Sequence, residues 1–543
     1  MVTTSTRSTS GPDQVATVTS PPRVTLRHVD RQRDRRRAVA IAAVALAWAA
    51  WRAGFDDGIV NTRGFSSFAE FWSAAFRPEL SVEFIRLTAD AALTTLALAI
   101  LGTVASILFA AVGAIATSEL LWKQHPLRSL ARGVLVVPRG IHEVIWALLL
   151  VQVFGFDPVV AVLAIAIPYG AVTSKVFAEA IDEADPQTFH QLRATGASRA
   201  SALFYGVLPT IRHDLVSYSF YRMECAVRSA AVLGVVGVGG LGFQLDLSFE
   251  TLRYNEIWTL IFALMILSGG IDRWSSVIRR SSEERVNRYS LVAVLVLVPL
   301  SVWWAGLGLS RLWGGRTATL ANELIGELVR PRLGPGGWSE LIRATIDTVA
   351  LSLLALAVAV VGGLIAAIIA RRRTERAQSA SSPARASGFV MRFALLLARA
   401  VPAPMWAFLA VLILFPGLWP GAVGLGIYNL GVLGRLFADV IEDRDTAATD
   451  QLLLTGAGPT TALLYGALPS VAPRIVALAL YRWEVIVRET VVVGVVGAGG
   501  LGQLINDHLV ARDFSAVSGA VLALIALTVL ADLVGSRLRR QLR

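Results

Sequence analysis

Two copies of one charged pattern lie inside otherwise apolar stretches of the sequence: Tyr221, Arg222, Glu224 and Arg228, and again Tyr481, Arg482, Glu484 and Arg488. A charge at the centre of a membrane helix costs about 2.5–3.5 kcal/mol on insertion scales, so these side chains must face protein or water rather than lipid. Glu224 and Arg228 are four residues apart on one helical face, as are Glu484 and Arg488, which allows a neutralising ion pair in each copy. On that reading alone the pairs fix helix packing. Arg222 and Arg482 lie about 200° round the helix from the acids and are not matched by them, leaving each copy one positive charge in excess. A passage for an anion would use that balance, with guanidinium forks to bind its oxygens.

Each pattern runs into a glycine string, Gly237, Gly239, Gly240 and Gly242, then Gly497, Gly499, Gly500 and Gly502. The spacing matches G-x-G-x-x-G, but a dinucleotide site needs a strand before it and a helix after it in a soluble βαβ unit. These strings follow a charged membrane segment instead. The expectation is a helix break that lets another backbone approach, at a gate near the outer mouth or simply for close packing. Before each pattern comes a polar loop, Glu179–Pro209 and Asp439–Pro469. In the first, Pro186–Thr195 is predicted as a helix broken at Gly196, and Ser198–Val207 as a second short helix ended by Pro209.

The elements that carry these residues follow from composition and repetition. The chain has 543 residues, 55% of them hydrophobic and 16% charged, where soluble domains carry roughly 25% charged residues. Apolar segments fall near 38–54, 88–117, 131–154, 158–178, 211–236 and 257–272, then near 289–310, 345–370, 393–415, 419–437, 471–496 and 514–534, which predicts an all-α membrane protein of about twelve spans. Shifted by 260 residues, Tyr221–Gly242 falls on Tyr481–Gly502 with 14 of 22 positions identical, and Arg139 falls on Arg399. The chain therefore reads as a disordered basic tail, 1–37, and two repeats, 38–280 and 281–543. With six spans each, the repeats are parallel in the membrane. The net charge of +11 is mostly arginine beside apolar runs, a mark of membrane topology that places both termini in the cytoplasm and argues against a nucleic-acid partner. Cys225 is the sole cysteine, and neither zinc spacing nor a catalytic constellation is present, so no catalytic, cofactor or metal residue is assigned.

Gly196 followed by Gly206-Val207-Leu208-Pro209, and Gly456 followed by Gly466-Ala467-Leu468-Pro469, resemble the coupling loop of ABC importer permeases. That motif expects Glu-Ala six residues before its first glycine; here His190-Gln191 and Asp450-Gln451 stand there, so only Asp450 keeps a carboxylate. Arg139 to Trp146, the two charged patterns and the glycine strings look like phosphonate importer permeases over roughly 88–272 and 345–535. The resemblance implies a fused permease in the cytoplasmic membrane, served by two separate ATPase subunits that bind ATP and Mg and by an extracytoplasmic binding protein. It further implies coupling through His190, Gly196, Leu208, Pro209, Asp450, Gly456, Leu468 and Pro469, and a phosphonate passage along the charged patterns. Phosphate, phosphite or a methionine-type ligand are alternative cargoes. A secondary transporter is the rival of another class, set apart by having no ATPase to dock. The chain holds no G-x-x-x-x-G-K-[ST] phosphate loop of its own.

Overall fold

The protein is described here from a computed structural model covering residues 25–54, 60–123, 125–280, 284–308, 314–370, 382–443 and 447–542. The described residues up to Ala47 form one unit and those from Trp48 onward another. Of the expected disordered tail, residues 1–24 lie outside the described residues, and from Thr25 the backbone is already helical. Arginine is a good helix former, so the basic run prolongs the apolar helix rather than ending it.

The first set of helices is α1 (Thr25–Ala53), α2 (Phe65–Ala74), α3 (Val82–Thr117), α4 (Pro126–Gly140), α5 (Glu143–Phe154), α6 (Pro158–Glu183), α7 (Pro186–Ala194), α8 (Arg199–Ala202), α9 (Leu208–Leu233), α10 (Leu241–Glu250) and α11 (Tyr254–Arg280). The second follows in the same order as α12 (Glu284–Ala305), α13 (Gly315–Leu328), α14 (Gly337–Ala370), α15 (Ser382–Ala400), α16 (Ala403–Ile413), α17 (Leu418–Glu442), α18 (Ala447–Leu454), α19 (Pro459–Thr461), α20 (Leu468–Val495), α21 (Gly500–Val510) and α22 (Phe514–Leu542). Among the described residues eight helices are long and apolar enough to cross a membrane, up to eleven if each of three bent pairs is one span, and Ala40–Ala53 is a shorter apolar helix. The chain is thus an all-α, multi-pass membrane protein.

The expected continuous spans 131–154 and 393–415 are both broken. Helices α4 and α5 meet at 89°, and α15 and α16 at 101°. The causes are local. In the first copy His142 ends the break by capping α5, its Nδ1 accepting from the Val144 amide at 3.3 Å. In the second, Pro402 has no amide to continue the α15 ladder and stands as the cap of α16. Such breaks persist at membrane depth only where protein surrounds them, and Ile141, Ala400, Val401 and Ala403 are buried.

Packing is built on close helix approaches. Glycines line α17 where it meets its neighbours: a Cβ on Gly426 would press on Val358 of α14, and one on Gly431 would stand 2.6 Å from the backbone nitrogen of Arg399. Small residues of this kind let membrane helices touch backbone to backbone. The first spans cross over between copies. The end of α1 packs through Ala49, Ala50 and Ala53 on Leu351 and Leu354 of α14, with Arg52 held 2.7 Å from Asp347. Reciprocally, α12 leans on α3, where Trp304 Nε1 donates to Thr94 Oγ1 at 3.2 Å. The outer segments hold short helices rather than bare loops: α2 buries Phe71 against Tyr254 and Trp258, and α13 buries Leu324 among residues of α5, α21 and α22.

Because Gly431 fixes where Arg399 enters the bundle, Gly431→Ala should cost about 1–3 kcal/mol by overpacking. The check is the melting temperature of the detergent-solubilised chain, which should fall by several degrees. An unchanged melting temperature would show that α15 is free to yield.

Candidate functional site

Helix α9 runs 26 residues, about 39 Å at 1.5 Å per residue, from the polar loop at one end to the glycine string at the other. It carries the first charged pattern, and α20 carries the second. The expected pair forms in both copies, with unequal closeness: Arg228 donates to Glu224 Oε1 at 2.6 Å, whereas Arg488 stands 3.8 Å from Glu484.

The structure extends the first pair into a cluster around two buried carboxylates. Asp272 of α11 lies 3.8 Å from Arg228, and Arg279 lies 3.5 Å from Glu224. The second copy reaches in with Arg399, which pairs closely with Asp272, and with Arg435, which lies 3.3 Å from Asp272 and 3.8 Å from Glu224. Four guanidinium groups therefore surround two carboxylates, leaving two positive charges in excess. None of Asp272, Arg279, Arg399 and Arg435 is expected at a charged cluster from the sequence. A signal was present, since Asp272 and Arg279 recur as Asp532 and Arg539 at the repeat offset. Those equivalents sit 3.8 Å apart on α22, and across the interface Arg488 donates to the Arg139 carbonyl at 3.1 Å. The two interfaces share a plan but differ in charge.

The upper face of the pattern departs from expectation. Arg482 is not in excess: its guanidinium donates to Glu489 Oε1 at 2.9 Å and, through Nε, to Asn429 Oδ1. Asn429 is itself buried and donates to Glu489 Oε2 at 2.9 Å. The counter-ion was missed because it lies seven residues on, two helical turns away and back on the same face. Arg222 follows the expectation. It donates to the Tyr218 hydroxyl at 2.8 Å and lies 5.0 Å and 5.2 Å from the ring centres of Tyr169 and Tyr218, with no carboxylate paired to it among the described residues. Tyr169 in turn hydrogen-bonds Ser229 at 2.6 Å, and Ser229 donates to Glu143 at 2.6 Å, so Glu143 is held by hydroxyls. Tyr221 and Tyr481 are both exposed beside these groups.

At the far end of α9 the glycines behave as breaks. Gly237, Gly239 and Gly240 have φ of +95°, +98° and +80°, and Gly497, Gly499 and Gly500 have +89°, +86° and +73°. These are left-handed values that glycine adopts without strain. Each break starts a new helix with an amide of its first turn held from another span, that of Leu241 by Thr95 Oγ1 and that of Leu501 by Thr348 Oγ1, both at 2.8 Å. Gly242 and Gly502 lie against the backbones of Ala231 and Val491.

At the near end, Gly196 and Gly456 have φ of +91° and +85°. The amides that follow, of Ala197 and Ala457, bond back to Leu192 and Leu452 at 3.1 Å, which closes the first loop helix in each copy with a Schellman turn. Pro209 does not end the second loop helix as expected. Residues Leu203–Val207 are wound as a π-helix that continues straight into α9, with Pro209 in its first turn, and Ala462–Ala467 and Pro469 repeat this. The wider turn leaves no amide for the proline to remove. Leu208 and Leu468 thus open the long helices, which run on from the loop without a break. Among its polar residues the loop surface presents aromatic rings, with Tyr205 82% and Tyr465 75% exposed, and His190 is exposed beside Phe189.

The model of the family described as binding-protein-dependent transport system inner membrane component matches this chain twice, over 102–288 and 359–543. A phosphate-import permease protein of Mycolicibacterium smegmatis is 29% identical over 457 residues, covering 81% of this chain and 82% of that protein. A phosphite transport system permease protein of Stutzerimonas stutzeri is 33% identical over 253 residues, covering 46% of this chain and 87% of that protein.

The first cluster is the better test of buried charge, because Glu224 lies within 4 Å of three guanidinium groups whereas, among the described residues, Glu484 has Arg488 alone within that distance, at 3.8 Å. Glu224→Gln should destabilise the chain by about 3–5 kcal/mol, as breaking a buried pair does, and Glu484→Gln by clearly less. Thermal unfolding of both variants in detergent is the measurement, and equal losses would contradict the asymmetry.

Proposed function

This chain belongs to the family of binding-protein-dependent transport system inner membrane components, and on that premise we propose that its cargo is a small phosphorus oxyanion: phosphate, phosphite or a phosphonate. The observation that carries the proposal is the excess of positive charge where the two copies meet, four guanidinium groups on two carboxylates. In a low-dielectric bundle such an excess is stable only if something negative or wet passes by it. The relatives named for phosphate and phosphite import support the same class.

As a fused permease the chain supplies both halves of one translocation unit. Two separate ABC ATPase subunits grip the loops around Gly196 and Gly456, bind ATP and Mg, and drive α9 and α20 through their unbroken π-helical entries. An extracytoplasmic binding protein delivers the anion at the glycine-string end. Both termini then lie in the cytoplasm of a cytoplasmic-membrane protein. The two loops differ at His190 and Asp450, so the two ATPase contacts are unlike.

Uptake by the full complex in proteoliposomes tests this. Radiolabelled phosphate should enter only with ATP inside, competed by phosphite or methylphosphonate and not by methionine. Valine at Gly196 or Gly456 forces a side chain into a left-handed backbone; because misplacing a coupled part by about 1 Å can cost about a hundredfold, either substitution should abolish uptake at unchanged membrane levels. ATP-dependent uptake of methionine but no phosphorus oxyanion would defeat the cargo assignment, and full transport by both valine variants would defeat the coupling assignment.

A further inference from the structure

The two copies treat the same arginine in opposite ways. Arg222 and Arg482 are equivalent under the 260-residue shift, and so are Tyr169 and Asn429, and Ser229 and Glu489. In the second copy Asn429 and Glu489 bind Arg482 and each other, so its charge is cancelled and its geometry is fixed. In the first copy those positions are hydroxyls that bond to each other and to Glu143, and Arg222 is left with a phenol, two ring faces and a buried Nε that has no hydrogen-bond partner. Phenols and ring faces stabilise a guanidinium without neutralising it.

Both arginines belong to one neighbourhood at the meeting of the copies. Tyr481 lies within electrostatic reach of Tyr218 and Tyr221, and Tyr221 within reach of Arg482. Of these two equivalent arginines, an anion passing between the exposed Tyr221 and Tyr481 therefore meets only Arg222 uncancelled, on one side of the pair.

We propose that the duplication has split the roles of this arginine pair: Arg222 is the specificity-determining contact for the anion, and Arg482 with Asn429 and Glu489 is its structural counterpart, holding α20 to α17. The proposal deepens the phosphorus-oxyanion reading above and rests on it for the identity of the cargo. Its chemistry is that of a single guanidinium with a free donor edge, suited to one oxyanion at a time. A symmetric site would hold a dianion between two arginines and release it slowly. A one-sided site binds it weakly enough to let it go, which conduction requires.

The full complex in proteoliposomes is the test, with radiolabelled phosphate as the probe. Losing one charge-assisted contact should reduce the uptake rate of Arg222→Gln by about tenfold to a hundredfold. Adding Glu489→Gln to that variant uncancels Arg482 while keeping a side chain that can hydrogen-bond, and should restore the rate at least halfway on a logarithmic scale. A merely structural Arg222 would not be rescued by a charge released on the other copy. Cys225, half-buried between these groups and the sole cysteine of the chain, gives a readout that does not depend on cargo. Its labelling by a sulfonate-bearing methanethiosulfonate relative to a trimethylammonium-bearing one should fall in Arg222→Gln and recover with Glu489→Gln. Wild-type uptake by Arg222→Gln, absence of rescue, or a labelling ratio indifferent to Arg222 would each overturn the proposal. A falling ratio in a complex that carries no phosphate would uphold the charge assignment and refute the cargo instead.

Discussion

The structure depends on keeping two carboxylates, Glu224 and Asp272, buried among arginines drawn from both copies. Bringing either carboxylate alone into a low-dielectric bundle would cost several kcal/mol, and no neighbour on its own helix would suffice. The cost is offset only when Arg399 and Arg435 arrive from the second copy. The two halves are consequently coupled through charge as well as through apolar packing of α11 on α15 and of α5 on α21 and α22, and the charge adds a preference that apolar contact alone, in lipid, does not give. A contact of this kind can be made and unmade by small displacements that admit water, because the attraction between charges collapses as the local dielectric rises. That is the property a passage needs if its halves are to part on one side and close on the other.

The broken helices follow from the same requirement. Arg399 ends α15 next to the turn into α16, and it reaches Asp272 because the backbone stops there instead of carrying the side chain one turn further. Gly431 allows the approach by presenting no side chain to Arg399. The first copy bends at the corresponding place, yet there the main chain serves, with the Arg139 carbonyl accepting from Arg488. One break delivers a charge and the other delivers a dipole. At the ends of α9 and α20 the glycines and π-turns do the complementary work, allowing abrupt turns at one end and an uninterrupted entry at the other.

Much of this was legible in the sequence, and the limits have a physical pattern. The repeat, the spans, the i,i+4 pairs and the glycine breaks were readable because each is a relation between residues close in sequence or displaced by one fixed offset. The cross-copy cluster was not readable from charge alone, since Arg279 and Arg435 look like residues at the cytoplasmic ends of spans. Only the recurrence of Asp272 as Asp532 hinted that the acid had a structural partner. The kinks were hidden because apolar runs such as 131–154 satisfy a length criterion whether or not the backbone bends, and hydropathy does not register direction. Pro209 misled for a related reason: proline forbids one amide hydrogen bond, and a π-turn removes the need for that bond instead of ending the helix.

Gene fusion changes what selection can do with such a site. A permease assembled from two identical chains must place the same residue at both symmetry-related positions, so any arginine that meets the cargo meets it twice. Once the copies are joined in one chain, each position can vary alone. A serine in one copy and a glutamate in the other, at Ser229 and Glu489, suffice to separate an uncancelled charge from a cancelled one. The surrounding helices need not change, because the glutamate is accommodated by Asn429, whose amide both donates to it and accepts from the arginine. The divergence is therefore local in sequence and large in electrostatics, and two copies of nearly the same fold hold the same arginine once with a carboxylate partner and once without.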